Sequence, residues 1–271
     1  MPVPLPGGPV PNVARIYDYL LGGKDHFEAD RAAAETLMSL IPDVVTACQE
    51  NRRFVRRAVR CLAREGIRQF IDIGPGLPTQ GNVHEIALEA APDAGVVYAD
   101  YDPVVVAHAR ALLAEPNPTV TAISGDLRHP EQILHDPELR KLISPDQPFA
   151  VLATAVLHFI SDDEDPYAIT RTLTAAMPPG SYLVISHITP DDIAADAGRK
   201  AQAVYADATA QAHPRTRDDM ARFFDGLELA EPGVVNVSAW RPEPGSGSGN
   251  GNGNGNGRTL LYAGVGRKPA P

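Results

Sequence analysis

Basic charge is scarce in this chain: 24 Lys and Arg stand against 34 Asp and Glu over 271 residues, a formal net charge of −10. Affinity for nucleic acid comes largely from Lys and Arg neutralising phosphates, so a broad phosphate-binding face is excluded and no nucleic-acid partner is expected. Cysteine is nearly absent. Cys48 and Cys61 lie thirteen positions apart on what reads as one helix; at about 1.5 Å per residue that is roughly 20 Å, too far for a disulfide, so reduced structural thiols are expected. Also missing are a signal-peptide core behind Met1 and an apolar run of membrane-spanning length, which predicts a cytoplasmic protein without a membrane partner. Nothing reads as a metal motif or a nucleophile triad. The acidic run Asp162 to Asp165 has no alternating His or Cys and precedes Pro166, where it serves as the charged N-terminus of a helix.

What is present suits one large α/β domain with additions, since 44% apolar content supplies a substantial core. The most informative stretch is Gln69-Phe-Ile-Asp-Ile-Gly-Pro-Gly-Leu-Pro-Thr79, an apolar run that reaches Asp72 and breaks at Gly74 and Gly76. A buried strand feeding a glycine turn and then a helix is how open α/β sheets build nucleotide pockets. The two glycines reach backbone angles closed to other residues and let a ligand approach the main chain, with Pro75 between them. A helix follows from near Thr79 to Asn82, with Asn82 and Glu85 spaced as a capping box. A second strand, Gly95 to Ala99, then runs into Asp100, at roughly the 20-odd residues from the glycines where a carboxylate meets a ribose. A dinucleotide fingerprint wants a third glycine where Thr79 stands, so the match to an NAD-dependent oxidoreductase is poor.

Around this motif, the first eleven residues are rich in Pro and Gly and are expected to lack fixed structure. Asn12 is a good N-cap for a helix that carries Val13, Ile16 and Leu20 on one face and stops at Gly22-Gly23. Two further helices are predicted over 28–41 and 43–64, making residues 1–66 a helical N-terminal cap. Strands are expected near 69–73, 95–99, 119–123, 149–154 and 181–186 with helices between, an alternation that means a parallel sheet. Beyond it, 191–212 and 216–225 read as helices. Val234 to Trp240 and Arg258 to Val265 read as an antiparallel terminal pair, joined through a Gly, Asn and Ser repeat at 245–257 that is expected to be a loop.

With an acidic residue two before its first glycine, the turn at Asp72 resembles motif I of class I S-adenosylmethionine-dependent methyltransferases; Pro78 stands where most members carry a third glycine. Tyr98-Ala-Asp-Tyr-Asp-Pro103 resembles the second motif, Gly125-Asp126-Leu127 the third, and Phe149 to Phe159 the fourth strand with its cofactor-facing end, which includes Ala155. Closer still, Asn12 to His26, Asn51-Arg52, Asp72 to Thr79, Asn82 to Glu85 and Asp100 to Pro103 are together similar to the actinobacterial family of predicted S-adenosyl methyltransferases formerly known as a domain of unknown function. The resemblance covers nearly the whole chain. It implies a Rossmann-like class I methyltransferase fold, a mostly parallel seven-stranded sheet with an antiparallel last strand over 67–271, and S-adenosyl-L-methionine as cofactor. It further implies that Asp72 holds the methionine end, Asp100 the ribose with Tyr101 beside it, and Asp126 with Leu127 the adenine. The acceptor implied by these features and the charge is a small molecule; a cofactor-binding module without chemistry is the alternative.

Several residues keep two readings. Asp102 before Pro103 is an ideal helix cap and also stands within reach of a ribose or adenine. His158 and His187 follow the fourth and fifth strands, where ligands of open sheets bind; each is a candidate for the transferred methyl's surroundings or a buried, satisfied histidine, and His158 is the better catalytic candidate. Tyr17, Tyr19, Lys24 and His26 mix aromatic, charged and glycine neighbours as a pocket cap would, or pack on the sheet domain and stop the helix. Asn51 interrupts the apolar stripe between Cys48 and Val55, and a buried amide needs partners. His84 is a first-turn surface residue or reaches the methionine carboxylate.

Overall fold

Alternation of apolar residues along five strands sets the architecture, because each strand turns one parity to each face of a sheet that is covered on both sides. In the computed structural model, which describes residues 10–78, 81–112, 118–243 and 260–270, the elements run α1 Val13–Leu20, α2 Glu28–Leu40, α3 Val44–Arg64, β1 Gln69–Ile73, α4 Val83–Ala90, β2 Gly95–Asp100, α5 Pro103–Leu112 and β3 Val120–Ser124. They continue with α6 Pro130–Leu134, α7 Pro137–Leu142, β4 Ala150–Thr154, α8 Pro166–Ala176, β5 Tyr182–Ile188, α9 Ala195–Ala206, α10 Arg217–Ala221, β6 Glu228–Leu229, β7 Val235–Asn236 and β8 Leu261–Arg267. The strand order is β3-β2-β1-β4-β5-β8-β6, with β7 also on β8. β1 to β5 are parallel; β8 runs antiparallel to β5, β6 and β7. A dinucleotide fold would carry a sixth parallel strand at this edge.

Phe70, Val96, Tyr98 and Leu152 pack on one face under α3 and α4, while Ile71, Ile73, Val97 and Val151 pack on the other with α8. Asp72, next to last in β1, and Asp100, last in β2, have the parity of Phe70 and Tyr98, so both carboxylates lie on the α3 side. A third apolar cluster joins α1 and α2 to α9 through Ile16, Leu20, Leu37 and Ala201. α3 serves both: Cys48 belongs to this cluster, whereas Phe54 to Ala63 belong to the sheet core.

Three expectations change. The predicted helix over 191–212 is only Ala195–Ala206, because the chain beyond it spends its backbone groups elsewhere: Thr209 N–H donates to the Pro11 carbonyl, His213 N–H to His158 and Arg215 N–H to Ile188. The run from Val234 to Trp240 is a strand for two residues only. Asn236 accepts from Ser238 N–H and Oγ, an Asx turn that ends the ladder. Instead of seven strands there are eight, since β6 and β7 are short pieces sharing the outer edge of β8. Thr79, most of the Pro- and Gly-rich N-terminal stretch and the 245–257 repeat lie outside the described residues. Among the described residues, no helix is long and apolar enough to cross a membrane.

Candidate functional site

The carboxyl ends of β1 to β5 open into a cavity of about 740 Å³, roofed by α1, α2, α3 and α9. Its floor is the turn after β1, where Gly74 and Gly76 take φ of +68° and +69°. The two glycines are needed for different reasons. A Cβ on Gly74 would stand 2.4 Å from Val156 Cγ2, so Gly74 makes room for protein rather than for a ligand, against the sequence expectation. A Cβ on Gly76 would meet nothing within 4 Å; the backbone there borders open space.

Five carboxylates line the cavity, Glu164 at the rim and four aspartates with different surroundings. Asp72, 5% exposed, has its pKa raised to about 7 by burial, opposed by the nearby Arg52 charge and reinforced by Asp100. Arg52 reaches in from α3; one of its terminal nitrogens donates to the Gly81 carbonyl, but its Nε is buried without a partner. Asp100 is raised to about 6 by burial, although backbone N–H groups of Asp102, Gly76 and Tyr101 donate to it. Asp102 caps α5, accepting from Val104 N–H at 2.8 Å, and its second oxygen accepts from Asn12 Nδ2 at 2.6 Å. Its carboxylate is thus taken by protein. Burial works to raise Asp126, but the Arg128 guanidinium, forked onto both oxygens, outweighs it and holds the carboxyl below its ordinary range. Leu127 is buried beside it, and Tyr101 is 46% exposed at the rim with Arg128 over its ring.

At the centre, Tyr17, Asn51 and Ala155 form a polar chain. Asn51 Nδ2 donates to the Tyr17 hydroxyl (3.0 Å), Ser186 Oγ donates to Asn51 Oδ1 (2.6 Å), and Ala155 N–H donates to Ser186 Oγ (3.0 Å). The buried amide thereby finds its partners, and it ties the N-terminal helices to the ends of β4 and β5. Ala155 sits at φ +53°, a strained position for a residue with a Cβ, at the edge of the cavity. His158 lines the cavity at 5% exposure; its Nδ1 is buried with no hydrogen-bond partner, and burial together with His187 and Arg215 keeps its pKa well below the ordinary histidine value.

The remaining candidates lie elsewhere. His187 is 1% exposed and faces away from the cavity; Nδ1 donates to the Ile188 carbonyl and Nε2 accepts from Arg215, with burial bringing its pKa down to about 3. β5 explains this: Ser186 takes the cavity parity, so His187 points to the opposite face. Tyr19 bonds Glu35 and packs edge-on against His26, Lys24 is exposed, and none of the three reaches the cavity. The helix α1 presents Tyr17 inward, so Tyr19, two residues on, points away. His84 bonds the Tyr98 hydroxyl at 2.7 Å behind the glycine turn, outside the main cavity. Asp162 is not merely helix-end charge: it pairs with Arg215, whose guanidinium also donates to the Leu157 and Ile160 carbonyls and so fixes the loop bearing His158. The roles of Arg52, Arg215, Asn12 towards Asp102, and Ser186 went unread in the sequence; only the i, i+1 placement of Arg52 after the odd Asn51 pointed towards one of them.

This geometry has close relatives. A candidate methyltransferase from Thermobifida fusca is 39% identical over 96% of each chain with a TM-score of 0.87. A DUF574 family protein from Streptomyces avermitilis is 38% identical, covering 96% of this chain and 98% of its own, with a TM-score of 0.88. The mitomycin 7-O-methyltransferase shares the fold at 19% identity and a TM-score of 0.50, over 89% of this chain and 69% of its own. No curated protein matches. The S-adenosyl methyltransferase family model matches residues 8–269, and the chain, with its parallel sheet, antiparallel β8 and acidic residues around Gly76, belongs to that family.

Proposed function

We propose that this protein transfers the methyl group of S-adenosylmethionine to a small-molecule nucleophile. The observation that carries the reading is the juxtaposition, at one end of the cavity, of the Asp72 carboxylate and the Arg52 guanidinium, which both line it and whose charges are close enough to act on each other. Together they match the ammonium and the carboxylate of an amino-acid zwitterion. The open side of Gly76 then takes the chain of the cofactor, Asp100 its ribose hydroxyls, and the pocket of Asp126 and Leu127 its adenine. Asp102 supports this arrangement from outside by holding Asn12. When bound, the sulfonium supplies an already activated methyl group, so the protein has only to align the nucleophile and exclude water. Tyr17, Asn51 and His158 surround the remaining space and orient what enters it.

The family and the antiparallel β8 weigh against a nicotinamide-dependent reaction. Calorimetry with S-adenosylhomocysteine and S-adenosylmethionine tests the reading directly: the wild type binds both, and Asp100→Asn loses about tenfold to a hundredfold, the worth of hydrogen bonds to a charged group. Equal affinity in wild type and variant, or no binding by the wild type, would sink it.

A further inference from the structure

Beyond its polar end the cavity changes character. The walls contributed by α2, α3 and α9 are mostly apolar there, lined by Leu37, Ile41, Val44, Ala47, Ala201 and Tyr205, with the amide of Gln202, whose nitrogen donates to the Ala212 carbonyl, as a polar addition from α9. The charged side chains lining the cavity lie with the carboxylates described above or at its rim: Arg128 and Glu164 on one side, and Arg199, which is 69% exposed, on the other. Where the two regions meet stand Tyr17, Asn51 and His158.

We infer that the methyl acceptor is an uncharged, largely apolar molecule that lies between α2, α3 and α9 and presents a hydroxyl group to His158. This rests on the methyl-transfer reading above. An anionic acceptor would find no cation in the apolar region, and an ammonium no carboxylate, so either would lose its hydration without compensation. Tyr17 and Asn51 are already engaged with each other and with Ser186, which leaves, of these three, the imidazole of His158: its Nδ1 is closed off by burial, and its other ring nitrogen, to which no group among the described residues donates, is the one left to a ligand in the cavity. Its environment keeps the imidazole neutral, so it offers a lone pair and calls for a donor. In the step itself the hydroxyl oxygen gains the methyl carbon and the electron pair of the broken S–C bond stays with sulfur. The hydroxyl proton passes to the imidazole and is released to water.

Four probes of one shape test the inference on protein saturated with S-adenosylhomocysteine: 2-naphthol, 2-methylnaphthalene, 2-naphthoate and 2-naphthylmethylammonium. Calorimetry is expected to rank 2-naphthol first, about tenfold or more above either charged probe, and above 2-methylnaphthalene by the several-fold that one hydrogen bond contributes. His158→Phe should erase the difference between 2-naphthol and 2-methylnaphthalene. Ala47→Phe and Ala201→Phe, which fill the region from two different helices, should each cost about tenfold in 2-naphthol affinity while S-adenosylhomocysteine binds as before. A charged probe binding as tightly as 2-naphthol overturns the inference, as does the absence of binding by all four to a protein that binds S-adenosylhomocysteine. Failure to bind S-adenosylhomocysteine at all overturns the methyl-transfer reading instead.

Discussion

On the methyl-transfer reading, the protonation of one carboxyl sets how the polar end of the site would meet its ligand. Asp72 is held near pH 7 by burial; Arg52 from α3 works against that shift, Asp100 from β2 adds to it, and the neighbouring Tyr98 and His84 are bonded to each other. A carboxyl whose folded pKa is raised above its unfolded value favours the folded state at low pH. That contribution is lost as pH rises from about 4 to about 7, after which it no longer changes. A ligand ammonium requires the ionised form, so S-adenosylhomocysteine should bind more tightly as pH rises to about 7, by at most about tenfold per unit for one proton, with proton release below that point. Calorimetry in buffers of different ionisation enthalpy measures the release; Asp72→Asn should remove most of it, leaving only the share of Asp100, whose pKa is about 6. An affinity independent of pH between 5.5 and 7.5 in about that range would mean that Asp72 does not meet the ligand's charge. The pair of glycines should separate in the same way: Gly74→Ala lowers stability by about 1–3 kcal/mol through the clash with Val156, as overpacking does. Gly76→Ala costs about 1 kcal/mol of backbone strain, and its Cβ enters the ligand's space, so thermal denaturation reports the first and S-adenosylhomocysteine affinity the second.

At the scale of elements, what was legible in the sequence was what is decided locally. Asn12 caps α1, Glu85 completes the box at Asn82, and β1 spans the predicted residues, because caps, glycine turns and strand alternation depend on neighbours in sequence. What could not be read depends on contacts between distant elements. Tyr17 and Tyr19 look alike until the docking of α1 on α3 selects one, and His158 and His187 look alike until the register of Thr154 with Ser186 turns the second away. Arg215 shows the same limit, falling between the helices expected over 191–212 and 216–225 while joining the β4 loop to the end of β5. Arg215→Met should cost about 2–4 kcal/mol in urea denaturation, because the Leu157 and Ile160 carbonyls and His187 Nε2 all lose their donor in the interior. Asp162→Ala should cost under about 1 kcal/mol, since that end of the pair is 86% exposed and screened. Equal losses from both substitutions would show that the ion pair, rather than the buried carbonyls, is what Arg215 stabilises.

For the molecule as a whole, the consequence is that the cavity exists only while the N-terminal helices stay docked on the sheet. α1 supplies Asn12, Tyr17 and Leu20, α2 supplies Leu37 and Ile41, and α3 joins both layers. Asn12 ties these together: its side chain caps α1 and reaches Asp102, and its N–H donates to Asp30, which also holds Arg15 and the Phe27 N–H. Any opening that lifts α1 destroys the site, so a ligand that binds the closed form suppresses that opening by mass action. S-adenosylhomocysteine at about 100 times its Kd stabilises the closed form by about 2.7 kcal/mol, so amides of α1 that exchange through this opening should slow by about a hundredfold. α7, which lines no part of the cavity, can open without disturbing it, and its locally exchanging amides should keep their rates. Asn12→Ala should quicken exchange in α1 of the free protein about fivefold, the weight of one lost cap near 1 kcal/mol. Hydrogen exchange followed by mass spectrometry reads all three. If α1 exchanges at the same rate with and without the ligand, the helix is a fixture beside the site and its side chains do not complete the cavity that the ligand fills.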